Sequence, residues 1–373
     1  MRLPYRYALA GIAAAALLTA GCSSSSGGSS GGTNWSAEAS AAAGGGMSAL
    51  VTAAKQEGTL NVIALPADWA NYGTIIKDFE AKYGIKVNSA NPSGSSQDEV
   101  NAVRQESGTS AAPDVLDVGM SVALANTNLF APYEVSTWSS IPTAQKASNG
   151  VWVQDYGGYM SIGYDSSKFP SITSVSQLLG SQFKNAVALN GNPTEANAAL
   201  NGVMMAGMAS GGTADNISSG VNFFHQLKQD GNFVPVQATA ATIKAGTTPV
   251  VINWDYLNTA SVVGSSTWKV FVPPNAVLGG YYAQAINKQA PHPAAARLWE
   301  EFLYSQAASG GQNLWLEGGA RPVEQQAMTT NSTINKTAAA ALPPVNGTPV
   351  FLTPTQATNA ATYLAANWAS AVK

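Results

Sequence analysis

Four short stretches of the chain could bind a small molecule, because they combine aromatic rings with carboxylates or place two tyrosines side by side. They are Asp68, Trp69 and Tyr72; Asp155, Tyr156 and Tyr159; Trp254, Asp255 and Tyr256; and the dyad Tyr281-Tyr282. Tyrosine hydroxyls and carboxylates need polar partners. The pattern therefore predicts a site for a small polar solute.

The sequence lacks the catalytic and cofactor motifs that would indicate an enzyme. It has no Gly-x-x-x-x-Gly-Lys-Ser/Thr or Gly-x-Gly-x-x-Gly loop to hold a nucleotide, and no His-Glu-x-x-His pair. The two histidines, His225 and His292, lie far apart in different predicted helices. We therefore predict a protein that is not an enzyme and has neither a cofactor nor a metal centre.

One catalytic alternative stays open at this point. Two carboxylates can hydrolyse a glycosidic bond, and their separation along the chain says nothing about their separation in space. The alternative function is therefore a secreted carbohydrate hydrolase that uses Asp155 or Asp255.

Strands alternate with helices along most of the chain, which predicts an α/β fold around a mostly parallel sheet. A buried strand over 59–65 precedes a helix over 72–83, and a further strand covers 113–119. A second α/β unit covers 175–272. Ligand sites in open α/β sheets form at the carboxyl ends of strands. Two of the four aromatic stretches follow predicted strands directly.

Two long segments with aromatic residues and glycines interrupt this alternation, at 151–165 and 279–286. They predict two strands that cross between two lobes, and the other two aromatic stretches lie on them. We predict that residues 46–160 and 283–325 form lobe 1, and that residues 161–282 and 326–373 form lobe 2.

The N-terminus has the features of an exported lipoprotein precursor. Two arginines precede a short apolar run that ends at Ala20-Gly21-Cys22 and is too short to span a membrane. The run resembles a bacterial lipobox, with Thr19 where that motif most often has leucine. We predict a signal peptide over 1–21, and a lipidated Cys22 with a disordered Ser/Gly/Ala tether over 22–45. A plain secretory signal with an incidental cysteine is the alternative.

The composition limits the partners of the mature protein. The 373-residue chain has a formal net charge of −3 and no basic run, so nucleic acid is not an expected partner. Its length suffices for two domains of ordinary size. We expect a monomer outside the cytoplasm that is held to the membrane by its lipid.

Several segments, in their order and spacing, resemble the extracellular solute-binding proteins of bacterial ABC importers, and the closest branch is that of polyamine and ferric-iron binders. They are Ala53 to Val62, Phe79 to Val87, Pro113-Asp114-Val115, Leu129 to Tyr133, Ile162 to Asp165, and Pro293 to Val323. The resemblance implies a type 2 periplasmic-binding-protein fold, in which two α/β lobes are joined by two crossing strands. It also implies that hinge closure buries the ligand in the cleft, and that a membrane permease recognises the closed form.

The resemblance also indicates a ligand class. The polyamine branch uses tryptophan and tyrosine walls with acids at the ligand ends, and Trp69, Tyr72, Trp254 and Asp255 fit that pattern. The second crossing lacks the expected acid, since it reads Tyr281-Tyr282-Ala283. We therefore expect a polyamine-like, amine-bearing solute.

Other ligands and one other role stay open. Ferric iron is an alternative, although the iron branch has adjacent tyrosines where this chain has Trp254-Asp255-Tyr256. Phosphonates, which Arg104 or Arg321 could bind, and sugars are further alternatives. A purely structural surface lipoprotein is a third reading.

The lipid anchor can be tested by substituting the cysteine. A Cys22→Ser variant should move from the membrane fraction to the soluble fraction after cell fractionation, while it still binds its solute. A variant that stays membrane-bound would contradict the lipobox interpretation.

Overall fold

Helices and strands alternate through the first part of the chain. The computed structural model describes residues 33–260 and 265–372, so the predicted signal peptide, Cys22 and the start of the tether lie outside the described residues. The helices are α1 (Met47–Glu57), α2 (Tyr72–Tyr83), α3 (Ser96–Gln105), α4 (Met120–Ala125), α5 (Asn197–Ala209), α6 (Ser218–Gln229), α7 (Ala240–Lys244), α8 (Asp255–Ala260), α9 (Pro293–Leu303), α10 (Gly311–Glu317), α11 (Gln325–Thr330), α12 (Lys336–Ala341) and α13 (Pro354–Val372).

The strands form a separate parallel pair and a larger curled sheet. They are β1 (Thr59–Ile63), β2 (Lys86–Ala90), β3 (Val115–Gly119), β4 (Phe130–Ala131), β5 (Val153–Asp165), β6 (Val187–Leu189), β7 (Val250–Trp254), β8 (Trp268–Phe271), β9 (Leu278–Asn287), β10 (Arg321–Pro322) and β11 (Val350–Phe351). The pair is β1 with β2, and the other strands belong to the larger sheet.

Strand β5 is long enough to belong to both halves of the larger sheet. Its residues 153–159 pair with β9 and β10, and its residues 160–165 pair with β7 and β8. The first half, with β3, β4 and β11 on β9, is called lobe 1 below, and the second half, with β6 on β7, is called lobe 2. The first predicted crossing is therefore confirmed.

The second crossing differs from the prediction. The chain returns through β8 and β9 in succession, both antiparallel to β5, with residues 272–277 between them. Strand β9 already pairs within lobe 1 from Leu278 onward. The prediction of a mostly parallel sheet is wrong, because the two crossings run in opposite directions and therefore pair antiparallel. Parallel pairing is found at β1–β2, β6–β7 and β9–β11.

Local sequence signals fixed the ends of several helices. Helix α2 has the predicted bounds. Helices α1 and α2 each stop at a glycine with positive φ, 68° at Gly58 and 71° at Gly84, a conformation that costs glycine little. Helix α2 buries Ile75 and Phe79, which are spaced one turn apart on its inner face.

Part of the predicted disordered tether is packed against lobe 1. Residues 34–45 form turns, and the Trp35 side chain is only 5% exposed. The guanidinium of Arg297 on α9 donates to the carbonyl oxygens of Ser36 and Glu38, at 3.2 and 2.8 Å. These contacts correct the prediction, because the folded part begins near residue 34 rather than at 46.

The C-terminal region does not follow the predicted lobe boundary either. Helix α12 packs on α10, which itself contacts α2 of lobe 1, whereas α13 packs on α6 of lobe 2 and also reaches α4 of lobe 1. The chain from 326 onward therefore contacts both lobes. Among the described helices, none is both long enough and apolar enough to span a bilayer.

The packing of Trp35 predicts a large loss of stability on truncation. Replacing Trp35 by alanine should lower the free energy of unfolding by about 3–5 kcal/mol, because it leaves a cavity in the core. Chemical denaturation would measure the loss. The control is Val236→Ala at a side chain that is 41% exposed, which should change stability by no more than about 0.5 kcal/mol. Equal effects of the two variants would mean that residues 34–45 are not part of the folded body.

Candidate functional site

Two buried aspartates occupy the centre of the molecule. Asp117 is the middle residue of strand β3, and its Oδ2 accepts hydrogen bonds from the hydroxyls of Tyr72 and Tyr156, at 2.8 and 2.9 Å. Its other oxygen, Oδ1, is buried and accepts no hydrogen bond from an amide or a tyrosine hydroxyl among the described residues, and the Asp155 carboxyl group lies within hydrogen-bond reach of Asp117. The side-chain amide of Gln284 donates to Asp155 Oδ2 at 2.9 Å and to the Tyr72 hydroxyl at 3.0 Å. These contacts join β3, β5, β9 and α2 in one network.

Burial holds these carboxyl groups close to neutral. It raises the pKa of Asp117 to about 7, against the opposing effect of the two tyrosine hydroxyls. Burial also raises the pKa of Asp155 well above its usual range, and the neighbouring Asp117 charge adds to the shift. Two further buried acids, Glu99 and Glu300, have raised pKa values for the same two reasons. Because the two aspartate carboxyl groups are neighbours, ionisation of one disfavours ionisation of the other. A cation beside them would therefore be a favourable partner.

Aromatic rings surround the two aspartates. The ring of Tyr156 stacks on Tyr282, with centroids 5.8 Å apart, and meets the edge of Tyr256 at 5.9 Å. The Trp69 indole donates to the Tyr156 hydroxyl at 2.6 Å, and Trp254 stacks on Tyr256 at 6.4 Å. We call this set the aromatic–carboxylate cluster; it comprises Trp69, Tyr72, Asp117, Asp155, Tyr156, Trp254, Tyr256 and Tyr282.

A separate ion pair lies beside this cluster. The Arg321 guanidinium donates to Asp255 Oδ2, and the backbone N–H of Tyr159 donates to Asp255 Oδ1 at 3.0 Å. The Arg321 guanidinium also lies over the Tyr159 ring, 4.9 Å from its centroid. The negative charge of Asp255 is therefore already compensated within the chain. Asp255 is a poor choice for the acid that fixes a ligand amine.

A groove opens next to the cluster, where the two lobes and the crossing strands meet. Its walls come from the start of α4, from α5, from the crossing strands and from the segment around β11. Asn197 lines this groove and neighbours the Tyr282 hydroxyl of the cluster. Its Cγ would lie 2.8 Å from a Cβ at Gly119, so α5 of lobe 2 closely approaches the end of β3 in lobe 1.

The structure brings together most of the predicted site residues, in two adjacent groups. Seven belong to the aromatic–carboxylate cluster, Asp255 and Tyr159 belong to the ion pair, and Tyr281 lines the groove. Asp68 does not join them, since it is exposed on the loop after β1 and no described contact links it to the cluster. Whether these residues bind a ligand stays a prediction.

The sequence analysis missed Asp117 and Gln284. Asp117 lies in the middle of β3, within the predicted strand over 113–119, so the rule that looks just beyond the carboxyl ends of strands does not select it. No local signal marks Gln284, because its role depends on the register that pairs it with Asp117 across β3 and β9.

In the part of the chain that the structure describes, no three histidine, cysteine, aspartate or glutamate side chains are grouped so as to hold a metal ion. The Tyr281-Tyr282 dyad is split by the alternation of strand β9. Tyr282 faces the cluster and Tyr281 contacts Phe351, with ring centroids 6.0 Å apart.

Comparison with protein families identifies the chain. Residues 109–341 match the model of a family described as bacterial extracellular solute-binding protein. The chain belongs to this family. Membership places the solute-binding protein outside the cytoplasm. No curated protein matches the chain significantly.

Solved structures with the same fold include binding proteins for different ligands. The spermidine/putrescine ABC transporter substrate-binding protein PotD from Streptococcus pneumoniae is 13% identical, with a TM-score of 0.57 over 84% of this chain and 99% of that chain. Iron-bound HitA from Pseudomonas aeruginosa is 20% identical, with a TM-score of 0.61 over 82% and 97%. AfuA from Actinobacillus pleuropneumoniae, with bound fructose-6-phosphate, is 14% identical, with a TM-score of 0.63 over 84% and 98%.

These likenesses confirm the predicted fold. It is the two-lobed α/β fold of type 2 periplasmic binding proteins. At this level of identity they carry no information on the solute that this protein binds.

The raised pKa of Asp117 predicts how the stability of the solute-binding protein depends on pH. Its pKa is about 7 in the folded chain and close to 3.9 when unfolded, so the stability present at low pH is lost as pH rises through 7. Asp117→Asn removes this titration and should raise the melting midpoint by a few degrees at pH 8, with little change at pH 4.

Thermal melts from pH 4 to 8 would measure the effect. Val236→Ala is the control, because this exposed side chain carries no titratable group and its replacement should leave the pH profile unchanged. Parallel profiles for Asp117→Asn and the wild type would contradict the assignment of a raised pKa to Asp117.

Proposed function

We propose that this protein is the substrate-binding component of an ABC importer and that it captures a small amine-bearing solute between its lobes. The solute is then delivered to a permease in the plasma membrane. Family membership supports the role in solute binding, and the chemistry of the aromatic–carboxylate cluster supports the amine.

The observation that carries the amine proposal is the state of Asp117. Asp117 and Asp155 are buried carboxyl groups within hydrogen-bond reach of each other, neither forms an ion pair with a basic side chain among the described residues, and aromatic rings surround both. An ammonium group would donate hydrogen bonds to Asp117, favour its ionised form and contact the faces of the rings. An anionic solute such as a phosphonate would meet the wrong charge.

The contacts of the arginines and aspartates argue against the anionic ligands and the hydrolase considered above. Arg321 is occupied by Asp255, and Arg104 donates to the side-chain oxygen of Asn126 on lobe 1, at 2.6 Å, so neither guanidinium faces the cluster as a free anion site. A hydrolase using Asp155 or Asp255 would need a carboxyl group in contact with substrate. Asp155 is fully buried behind Tyr156, and Asp255 is held by Arg321.

The N-terminal sequence gives the importer role a physical basis. A lipid on Cys22 and a flexible tether would hold the binding protein near a permease in the same membrane, which raises its effective concentration there. Because residues 34–45 pack on the body, the tether proposed here is limited to the residues between Cys22 and about Asn34.

A thermal-shift panel tests the proposed solute class. Polyamines, monoamines, amino-phosphonates, sugars and ferric ion would be added to the purified protein at pH 8, where Asp117 ionises readily. We expect an amine to raise the melting midpoint, and Asp117→Asn to weaken its affinity by roughly 10–100-fold, as loss of a charge-assisted hydrogen bond predicts.

The matched control is Asp230→Asn at the exposed end of α6, which removes a carboxylate outside the cluster and outside the predicted site and should leave the affinity unchanged. Stabilisation by a sugar or an anion alone would contradict the amine proposal. Chemical turnover of any panel member would contradict the role as a binding protein.

A further inference from the structure

The last thirty residues form a strap that is fixed to lobe 2. We define the C-terminal strap as residues 343–372, which include β11 and α13. Trp368 on α13 packs edge-on against Phe224 of α6, with centroids 5.4 Å apart. His225 Nδ1 contacts the carbonyl oxygen of Ala371 at 2.7 Å, and the Gln356 amide donates to Asp215 at 2.8 Å. These contacts hold the helix along its length to one lobe.

The beginning of the same strap extends across the crossing strands to the other lobe. Strand β11 pairs in parallel with the start of β9, where Phe351 lies opposite Gly279. Helix α13 also packs against α4, the helix that follows Asp117 and β3 in lobe 1. The strap therefore contacts lobe 2, the hinge and lobe 1, and it lies beside the groove.

Phe351 is the residue of the strap that a solute in the groove would meet. It is 47% exposed, an unusual position for a phenylalanine, and it lines the groove. Its ring centroid lies 6.3 Å from that of Tyr159 and 6.0 Å from that of Tyr281, so three rings form one wall. The ring also covers Gly279, where an added Cβ would come within 2.5 Å of it.

The chemistry of the groove differs from that of the cluster behind it. Its apolar surface includes Met120, Leu352 and Phe351, and its polar surface comes from neutral groups such as the amides of Asn197 and Asn201. No charged side chain lines it among the described residues. A second ammonium group in this groove would lose water without meeting a carboxylate, whereas a neutral chain or ring would be buried favourably.

We propose that the C-terminal strap forms the outer wall of the solute site and that Phe351 is a specificity-determining residue, selecting solutes with one amine and a neutral apolar body. The amine end rests on the proposed function, with Asp117 as its partner. The neutral body lies in the groove against the ring of Phe351.

Three amines test the selection, two of equal chain length and one with a larger aromatic body. Putrescine carries two ammonium groups, n-pentylamine replaces one of them by a methyl group, and phenethylamine presents a ring. Isothermal titration at pH 8 should show that the two monoamines bind at least about tenfold more tightly than putrescine. Equal or tighter binding of putrescine would overturn the selection against a second charge.

Variants of the strap test the role of Phe351. Phe351→Ala should weaken phenethylamine binding by about tenfold, whereas Phe351→Tyr, which keeps the ring, should restore it. The control is Tyr363→Ala on α13, an aromatic residue of similar exposure at 36% that does not line this groove. Unchanged affinity in Phe351→Ala, or an equal loss in Tyr363→Ala, would overturn the proposal.

The design separates the two proposals. If a sugar or an anion binds and no amine does, the amine proposal fails, and the same variants measured with that solute still test the wall: Phe351→Ala must weaken it and Tyr363→Ala must not. If none of these probes binds to the wild-type protein, both proposals are overturned.

Discussion

The hydrogen bonds that Tyr72 and Tyr156 donate to Asp117 are the interaction on which the centre of this protein depends. They join α2, β3 and the long crossing strand β5, and Gln284 of β9 extends the network to Asp155. A carboxyl group buried at this depth is costly unless it is protonated or meets a cation. Its position beside a second buried acid lowers stability, whereas a cationic solute next to Asp117 would offset that cost and contact the rings around it.

The acidic side chains and the neutral side chains of the candidate site come from different parts of the protein. Lobe 1 and the crossing strands supply the acids, and lobe 2 supplies Trp254, Tyr256 and the amides of α5. The ion pair of Arg321 with Asp255 fixes the end of β7 without contributing free charge. The aromatic–carboxylate cluster is acidic and aromatic, and the groove beside it is lined by uncharged side chains. The C-terminal strap bounds that groove, and it contacts both lobes across the region where a hinge would move.

Helix ends and the first crossing strand could be predicted from the sequence, because local signals determine them. A glycine stop and apolar spacing gave the bounds of α2, and the 151–165 segment was correctly predicted to cross between lobes. Long-range contacts could not be predicted. Trp35 is buried because Arg297, far along the chain, binds the turns around it. Asp255 was expected to hold a ligand amine, and only its spatial pairing with Arg321 shows that its charge is compensated.

The central claim is that a cationic solute binds to a carboxyl pair that is largely protonated beforehand, and proton release measures it directly. Titration of the protein with its amine solute at pH 6, in buffers of different ionisation enthalpy, reports the protons released on binding. Asp117 has a pKa of about 7, so most molecules hold its proton at this pH, and we predict release of close to one proton for each solute bound. Binding without proton release, or with uptake, would contradict the account.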